Sequence, residues 1–172
     1  MLAASVIDDL GRGDLVATVR TRWRLVTDRV MGGVSQGTLV NEIVVGRPAL
    51  RMRGDVSLEN NGGFVQMALD LAPDGSVVDA SAWQGIELDL IGNDEEYGVH
   101  LRTDAVDRPW QSYRQSFRAG ASWRTIQLAF ADFVPHRIDV PLDVHRLRRI
   151  GMVAIGRAFT ADLSVGGVRF FR

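Results

Sequence analysis

The chain has 172 residues, of which 46% are hydrophobic and 24% charged, with a formal net charge of −1. Such a composition suits one soluble globular domain with a real core, and the near-neutral charge gives no global pull toward nucleic acid or an anionic membrane surface. There is no cysteine and all 20 basic residues are arginine, which excludes disulfides, thiolate metal sites, a cysteine nucleophile, a lysine Schiff base and a P-loop lysine.

In chain order, residues 1–13 read as a loosely ordered lead-in that matches neither a secretory signal nor a transit peptide. No apolar run approaches the ~20 residues that span a bilayer. Asp14 to Arg24 alternates, with Leu15, Ala17, Val19 and Thr21 on one face, and predicts a strand. The glycine-rich stretch Asp28-Arg29-Val30-Met31-Gly32-Gly33-Val34-Ser35-Gln36-Gly37 follows. Thr38 to Val45 and Ala49 to Val56 read as a hairpin closed by Gly46-Arg47-Pro48. A second glycine segment, Ser57-Leu58-Glu59-Asn60-Asn61-Gly62-Gly63-Phe64, leads into the cleanest alternation, with Val65, Met67, Leu69 and Leu71 on one side. Ile86, Leu88 and Leu90 mark the next strand, and Gly92 to Glu96 is a polar acidic loop. Tyr97 to Thr103 places Val99 and Leu101 inward and His100 and Arg102 outward.

Trp110 to Arg118 and Trp123 to Phe130 alternate in the same way. Ala131 to Leu142 is a long excursion with Pro135 and Pro141, and Val144 to Arg149 reads as one helical turn. Ile150 to Ile155 is an apolar run suited to a central strand. Ala161 to Phe171 closes the chain with a bulge at Gly166-Gly167. About ten short strands with almost no helical period predict an all-β fold, an antiparallel β-sandwich of jelly-roll type forming a single domain over 1–172.

The two glycine segments attract functional attention because glycine serves where φ is positive or where backbone must approach another group closely. Both place an acidic residue shortly before a Gly-Gly pair. Either each is a tight turn between strands, or the two meet in space and form the most specific surface of the molecule. Asp28 and Glu59 are candidates for a catalytic carboxylate pair if the loops meet, or for acceptors of turn amides. A Ca²⁺ site near Asp28, Glu59, Asn60 or Asp94-Glu95-Glu96 is chemically feasible but lacks EF-hand spacing. His100, His136 and His145 have no metal-ligand spacing. Arg51, Arg53, Arg102, Arg114 and Arg118 lie opposite the apolar stripes. If their strands are neighbours they form an arginine face with Trp110 and Tyr113, suited to carboxylates, phosphates or protein partners. The alternative is a solvated face balanced by Asp70, Glu87 and Asp89. Trp23, Trp83, Trp123, Phe64, Phe117 and Phe130 fit the core or its edge. Strong nucleic-acid binding is not expected at this net charge.

The run Trp23, Asp28 to Ser35, Gly54, Glu59-Asn60 and Gly62-Gly63-Phe64 resembles the complex I intermediate-associated protein 30 family. Trp83-Gln84-Gly85-Ile86, Gly92, Tyr97, Leu101-Arg102, Tyr113, Phe117, Trp123, Phe130 and Phe133 to Pro135 extend the resemblance over nearly the whole chain. The resemblance implies a galactose-binding-like β-sandwich. It also implies a non-catalytic assembly or chaperone-like factor for respiratory NADH:ubiquinone oxidoreductase or another multi-subunit complex. The expected partner is a complex I subunit or assembly intermediate, met by a cytoplasmic bacterial protein peripheral to the membrane complex. No catalytic residue, cofactor or metal is expected. The expected binding residues are Asp28, Arg29, Met31, Gly32, Gly33 and Ser35 in the first loop, Glu59, Asn60, Gly62, Gly63 and Phe64 in the second, and Arg102, Trp110 and Tyr113 on the arginine–aromatic face. The rival reading is a carbohydrate or small-ligand binding module on the same fold.

Overall fold

A computed structural model describes residues 5–172. The strands are β1 (Val6–Asp8), β2 (Arg24–Thr27), β3 (Gln36–Val44), β4 (Arg47–Val56), β5 (Phe64–Asp70), β6 (Gly85–Ile91), β7 (Glu95–Thr103), β8 (Ser112–Ala119), β9 (Arg124–Ala129), β10 (Val134–His136), β11 (Leu147–Ile155) and β12 (Phe159–Phe171). They form two six-stranded sheets. The first has the order β3-β4-β12-β6-β9, with β1 also pairing β12; the second runs β10-β8-β7-β11-β5-β2. Every pairing is antiparallel. The fold is a β-sandwich, as the alternations predict.

Period two explains the packing. In β5 the side chains of Val65, Met67 and Leu69 are fully buried, as are Val99 and Leu101 in β7 and Ile150 and Met152 in β11. They meet Leu50 and Met52 of β4, Ile86, Leu88 and Leu90 of β6 and Leu163 and Val165 of β12 in one hydrophobic cluster. Each such side chain contributes about 1.5–3 kcal/mol on burial. The run Ile150 to Ile155 lies in a central strand, between β5 and β7. The bulge expected at Gly166-Gly167 is present as a register shift between Val165 and Gly167.

Four expectations need correction. The lead-in is not loose throughout its described part: Val6–Asp8 pairs β12 and Ile7 is fully buried, whereas residues 1–4 lie outside the described residues. Asp14 to Arg24 is not a strand. It folds back on itself through a single bridge, Val16 to Arg22, with Arg20 at φ 72°. That return buries Ala17, so its alternation satisfies a loop. The β3–β4 turn is Val45-Gly46, at φ 45° and 77°, and Arg47-Pro48 already belong to β4. The excursion 131–142 contains the short edge strand β10, where Pro135 sits opposite Tyr113.

Trp23 ties the N-terminal strand to this frame. It is almost fully buried, and its indole Nε1 donates to Asp8 Oδ2 at 2.8 Å. Burial raises the Asp8 pKa, and donors from Leu10, Trp23 and Thr18 oppose that rise only in part. Trp23→Phe keeps most of the apolar volume but removes a donor from this carboxyl. We expect a loss of about 1–3 kcal/mol in urea unfolding, with Tyr replacing Trp no better because its hydroxyl does not reproduce the indole N–H position.

Candidate functional site

The first glycine segment is built around one carboxylate. Asp28 begins a 3-10 turn, Asp28–Met31, and its side chain is fully buried. Its Oδ1 accepts from Ser35 N at 3.0 Å. Its Oδ2 accepts from Ser35 Oγ at 2.5 Å, from Gly63 N at 2.5 Å and from Phe64 N at 3.2 Å. Two donors come from its own loop and two from the start of β5, so the two glycine segments do meet. Ser35 Oγ in turn accepts from Ser57 N at 2.8 Å, and Arg29 Nε donates to Ser35 O at 2.9 Å. Burial alone would raise the Asp28 pKa. The hydrogen bonds from Ser35, Gly63 and Phe64 outweigh it and hold the carboxylate below its ordinary range.

The glycines are explained by this clasp. A β-carbon on Gly33 would lie 2.5 Å from Asp28 Oδ1, and one on Gly62 would lie 2.5 Å from Asp28 Oδ2. Gly32 has open space around it and is needed for its φ of 86°. Asp28, Gly33, Ser35 and Gly63 are thus buried supports, and Gly62 abuts the carboxylate. Arg29, Met31, Gly32, Glu59 and Asn60 are exposed, and Phe64 is half-buried. Asp28 is not available as one of a catalytic pair with the exposed Glu59, because its lone pairs are occupied. Among the described residues, no three of His, Asp and Glu gather as metal ligands.

Beside the clasp, on the outer face of the second sheet, lies a cleft of about 560 Å³. Its floor follows from the strand register. One row crosses the sheet as Ala68, Gly151, His100 and Arg114, and another as Asp70, Arg149 and Arg102. Gly98 lies beside the His100 ring, whose Nε2 is 3.6 Å from where a β-carbon would stand. The Gln66 side chain lies across Gly151, with its Cδ 3.0 Å from where a β-carbon would stand. Val30, Met31 and Asn61 to Phe64 form the lip beyond β2. Asp107, Pro109, Trp110 and Arg137 form the lip on the β8–β10 side. Val30 is 72% exposed, Met31 49% and Trp110 48%.

The cleft is electropositive. Arg149 donates to Asp70 at 2.8 Å. Arg102, Arg114 and Arg137 form no ion pair with a carboxylate among the described residues. Arg102 donates to the Pro109 carbonyl at 3.3 Å, and Arg114 to Ser112 Oγ at 2.8 Å. Burial, then Arg149 and Arg148, lower the Arg102 pKa; burial, then Arg137, lower that of Arg114. His100 is pushed down to about 3, first by burial and then by Arg114 and His136, so it is neutral at physiological pH. His136 is lowered by burial, Arg114 and Arg137.

The expected arginine face is therefore divided. Arg102 and Arg114 share the cleft with Trp110. Arg51 and Arg53 lie in the other sheet, where Arg51 pairs Asp162 at 2.7 Å and both approach Glu42. Arg118 approaches Asp94 at 3.6 Å, away from the cleft lining. Tyr113 is a correction: it is fully buried, with its hydroxyl donating to the Val140 carbonyl at 2.6 Å, and it offers nothing to a partner. Sequence reasoning missed Gln66, Arg137 and Arg149 as cleft residues. Gln66 and Arg137 lie in a strand and an excursion that the sequence marks, whereas Arg149, expected in a helical turn over Val144 to Arg149, belongs to β11 because that turn ends at Arg146; only the sheet order makes the three neighbours.

The comparisons agree with this architecture. The family model described as complex I intermediate-associated protein 30 (CIA30) matches residues 16–165. No curated protein matches the sequence. Among solved structures, the family 11 carbohydrate-binding module from Clostridium thermocellum, in complex with a β-1,3-1,4-mixed-linked tetrasaccharide, is 15% identical with a TM-score of 0.73, covering 99% of this chain and 97% of that one. The family 30 carbohydrate-binding module of a C. thermocellum cellulosomal cellulase is 14% identical with a TM-score of 0.67, covering 99% and 97%. At these identities the likeness is one of fold.

Three outcomes follow from the geometry. Asp28→Asn strands donors aimed at a carboxylate and lowers stability by about 3 kcal/mol, and Gly33→Ala or Gly62→Ala is destabilising in the same melts. Met31→Ser, on the exposed lip, stays within about 0.5 kcal/mol of the parent. His100 stays neutral in the fold while the unfolded imidazole titrates near 6.5, so the unfolded state binds the extra proton as pH falls. Stability therefore drops as pH falls from 6.5 toward 3. Asp28 adds to the loss below its ordinary 3.8. His100→Gln should flatten the unfolding midpoint between pH 6.5 and 4.

Proposed function

The chain belongs to the complex I intermediate-associated protein 30 family, and on that footing we propose that it is a non-catalytic binding protein that assists assembly of respiratory complex I or a similar multi-subunit complex. In this reading it works in the cytoplasm, peripheral to the membrane complex, by transient docking to an assembly intermediate. Among the described residues, no helix is long and apolar enough to cross a membrane.

The observation that carries the reading is the cleft lip. The buried residues of the Asp28-to-Ser35 run fix the turn, and its exposed residues Val30 and Met31 project beside an arginine-bearing floor. Exposed aliphatic and thioether side chains next to guanidinium groups and Trp110 suit a protein partner. Asp28, the buried carboxylate of the site, is spent on backbone donors and serves shape.

A second reading is favoured by one specific observation. The Gln66 amide, the neutral His100 and the exposed Trp110 of the cleft resemble in chemistry a surface for a sugar ring, and the solved carbohydrate-binding modules share this fold. Affinity capture from the cells of origin, with soluble and membrane fractions separated, decides between them. The assembly reading expects complex I subunits enriched by the parent protein and lost with a Val30→Ser and Met31→Ser double variant, which keeps the fold. Absence of those subunits, together with a melting temperature raised by neutral β-glucan oligosaccharides, would replace it with the sugar-binding reading. A ligand at a hundredfold excess over its Kd adds about 2.7 kcal/mol, which a melt resolves.

A further inference from the structure

We propose that the cleft is a carboxylate-recognition site, and that its occupant is an acidic segment of the partner protein. This deepens the assembly reading and rests on it for the partner's being a protein.

On the outer face of the first sheet, Arg47 and Arg169 each donate to Asp89, at 2.7 and 2.8 Å, and Arg51 donates to Asp162 at 2.7 Å. Arg157 pairs Glu95 at 2.6 Å at the sandwich edge. Those guanidinium groups are neutralised within the fold. In the cleft, Arg102, Arg114 and Arg137 form no ion pair among the described residues, although Asp107 stands on the same lip, and Arg102 and Arg114 are held there half-buried. Half-buried guanidinium groups on one sheet face, left without an ion-pair partner, are suited to an incoming carboxylate.

The positive strip is longer than the main cleft. A second cavity of about 160 Å³ shares Arg102 and Arg149 with it and adds Arg148, with Asp70, the partner of Arg149, also in its wall. Arg148 likewise has no carboxylate partner among the described residues. The strip thus runs from Arg137 and Arg114 through Arg102 to Arg148. Several guanidinium forks along two adjoining cavities suit a chain bearing several carboxylates better than one small anion, because each guanidinium can take a carboxylate through two parallel N–H donors. The neutral His100 sits between them and can donate or accept without adding charge.

The lips favour a peptide over an acidic glycan. Trp110 is the one aromatic side chain that is strongly exposed among the described residues, and the other projecting apolar lip residues are Val30 and Met31. Sugar rings stack on aromatic planes, whereas aliphatic and thioether side chains pack against the mixed side chains of a peptide.

The test titrates the intact protein with acetylated hexaglutamate, followed by calorimetry and tryptophan fluorescence, at low and high salt. Hexaglutamine, trigalacturonate and inorganic phosphate are titrated in parallel. The expected result is saturable hexaglutamate binding that salt weakens, with no binding of hexaglutamine. Arg114→Gln and Arg137→Gln should each weaken it about tenfold. Arg137 lies on an exposed loop, so its variant tests the idea even if Arg114→Gln disturbs folding. Tighter binding of trigalacturonate or phosphate than of hexaglutamate would overturn the proposal, as would equal affinity in parent and folded variants or no binding at millimolar peptide. The same variants separate this proposal from the assembly reading. If Arg114→Gln and Arg137→Gln still capture complex I subunits, the assembly reading stands and the carboxylate site is wrong. If the parent binds hexaglutamate but captures no complex I subunit, the site stands and the partner is another protein.

Discussion

The Asp28 carboxylate is the constraint on which the site depends. A charge taken out of water costs several kcal/mol unless its lone pairs are filled. Here they are filled by Ser35 and by the first amides of β5. Satisfying them forces the loop after β2 to close onto the loop before β5. That closure requires glycine at 33 and 62, where a side chain would strike the carboxylate, and glycine at 32, where the backbone turns left-handed. The motif is thus a device for bringing two loops together, and its exposed members, Val30 and Met31, are what the device presents.

The second sheet supplies the rest of the site by register alone. Placing β11 between β5 and β7 brings Arg149 beside Arg102 and Gly151 beside His100. Pairing β8 with β7 then sets Arg114 next to His100. The core face of the same strands is apolar apart from Gln115 of β8, which donates to the Ala129 carbonyl, and the buried Thr103 at the end of β7. The outcome is a cleft in which Arg149 is paired with Asp70 while Arg102 and Arg114 are held by the fold without an ion-pair partner among the described residues. Arginine serves here because it keeps its charge when half-buried, where lysine would more readily lose its proton.

Much of this was legible in the sequence, for stated reasons. Strands with one buried face reveal themselves by alternation, and β5, β6, β7 and β9 were found that way. Alternation failed at Asp14 to Arg24, where a folded-back loop buries Ala17 as a strand would. It also failed at β10, which is only three residues long and contains Pro135. That Asp28 accepts from turn amides could be read from its place before Gly-Gly. That it is sealed from solvent could not, because the closing donors, Gly63 and Phe64, lie 35 and 36 residues away. The arginine face was half right. Period two shows which arginines point outward, but only strand order shows that Arg102 and Arg114 join Arg149 while Arg51 and Arg53 belong to the opposite sheet. Tyr113 shows the converse limit: an aromatic next to a polar run was read as surface, yet its hydroxyl reaches a loop carbonyl and the ring is core.

In this reading the molecule works through the face where the Asp28 clasp and the arginine row meet. Hydrogen exchange of the protein alone and within its captured complex tests this most directly. The account predicts slowed exchange at the Val30-Met31 turn, at the Asp107 to Trp110 loop and along the outer ends of β7 and β8, with the first sheet unchanged. Protection confined to β3, β4 and β12, with the cleft exchanging as in the free protein, would contradict it.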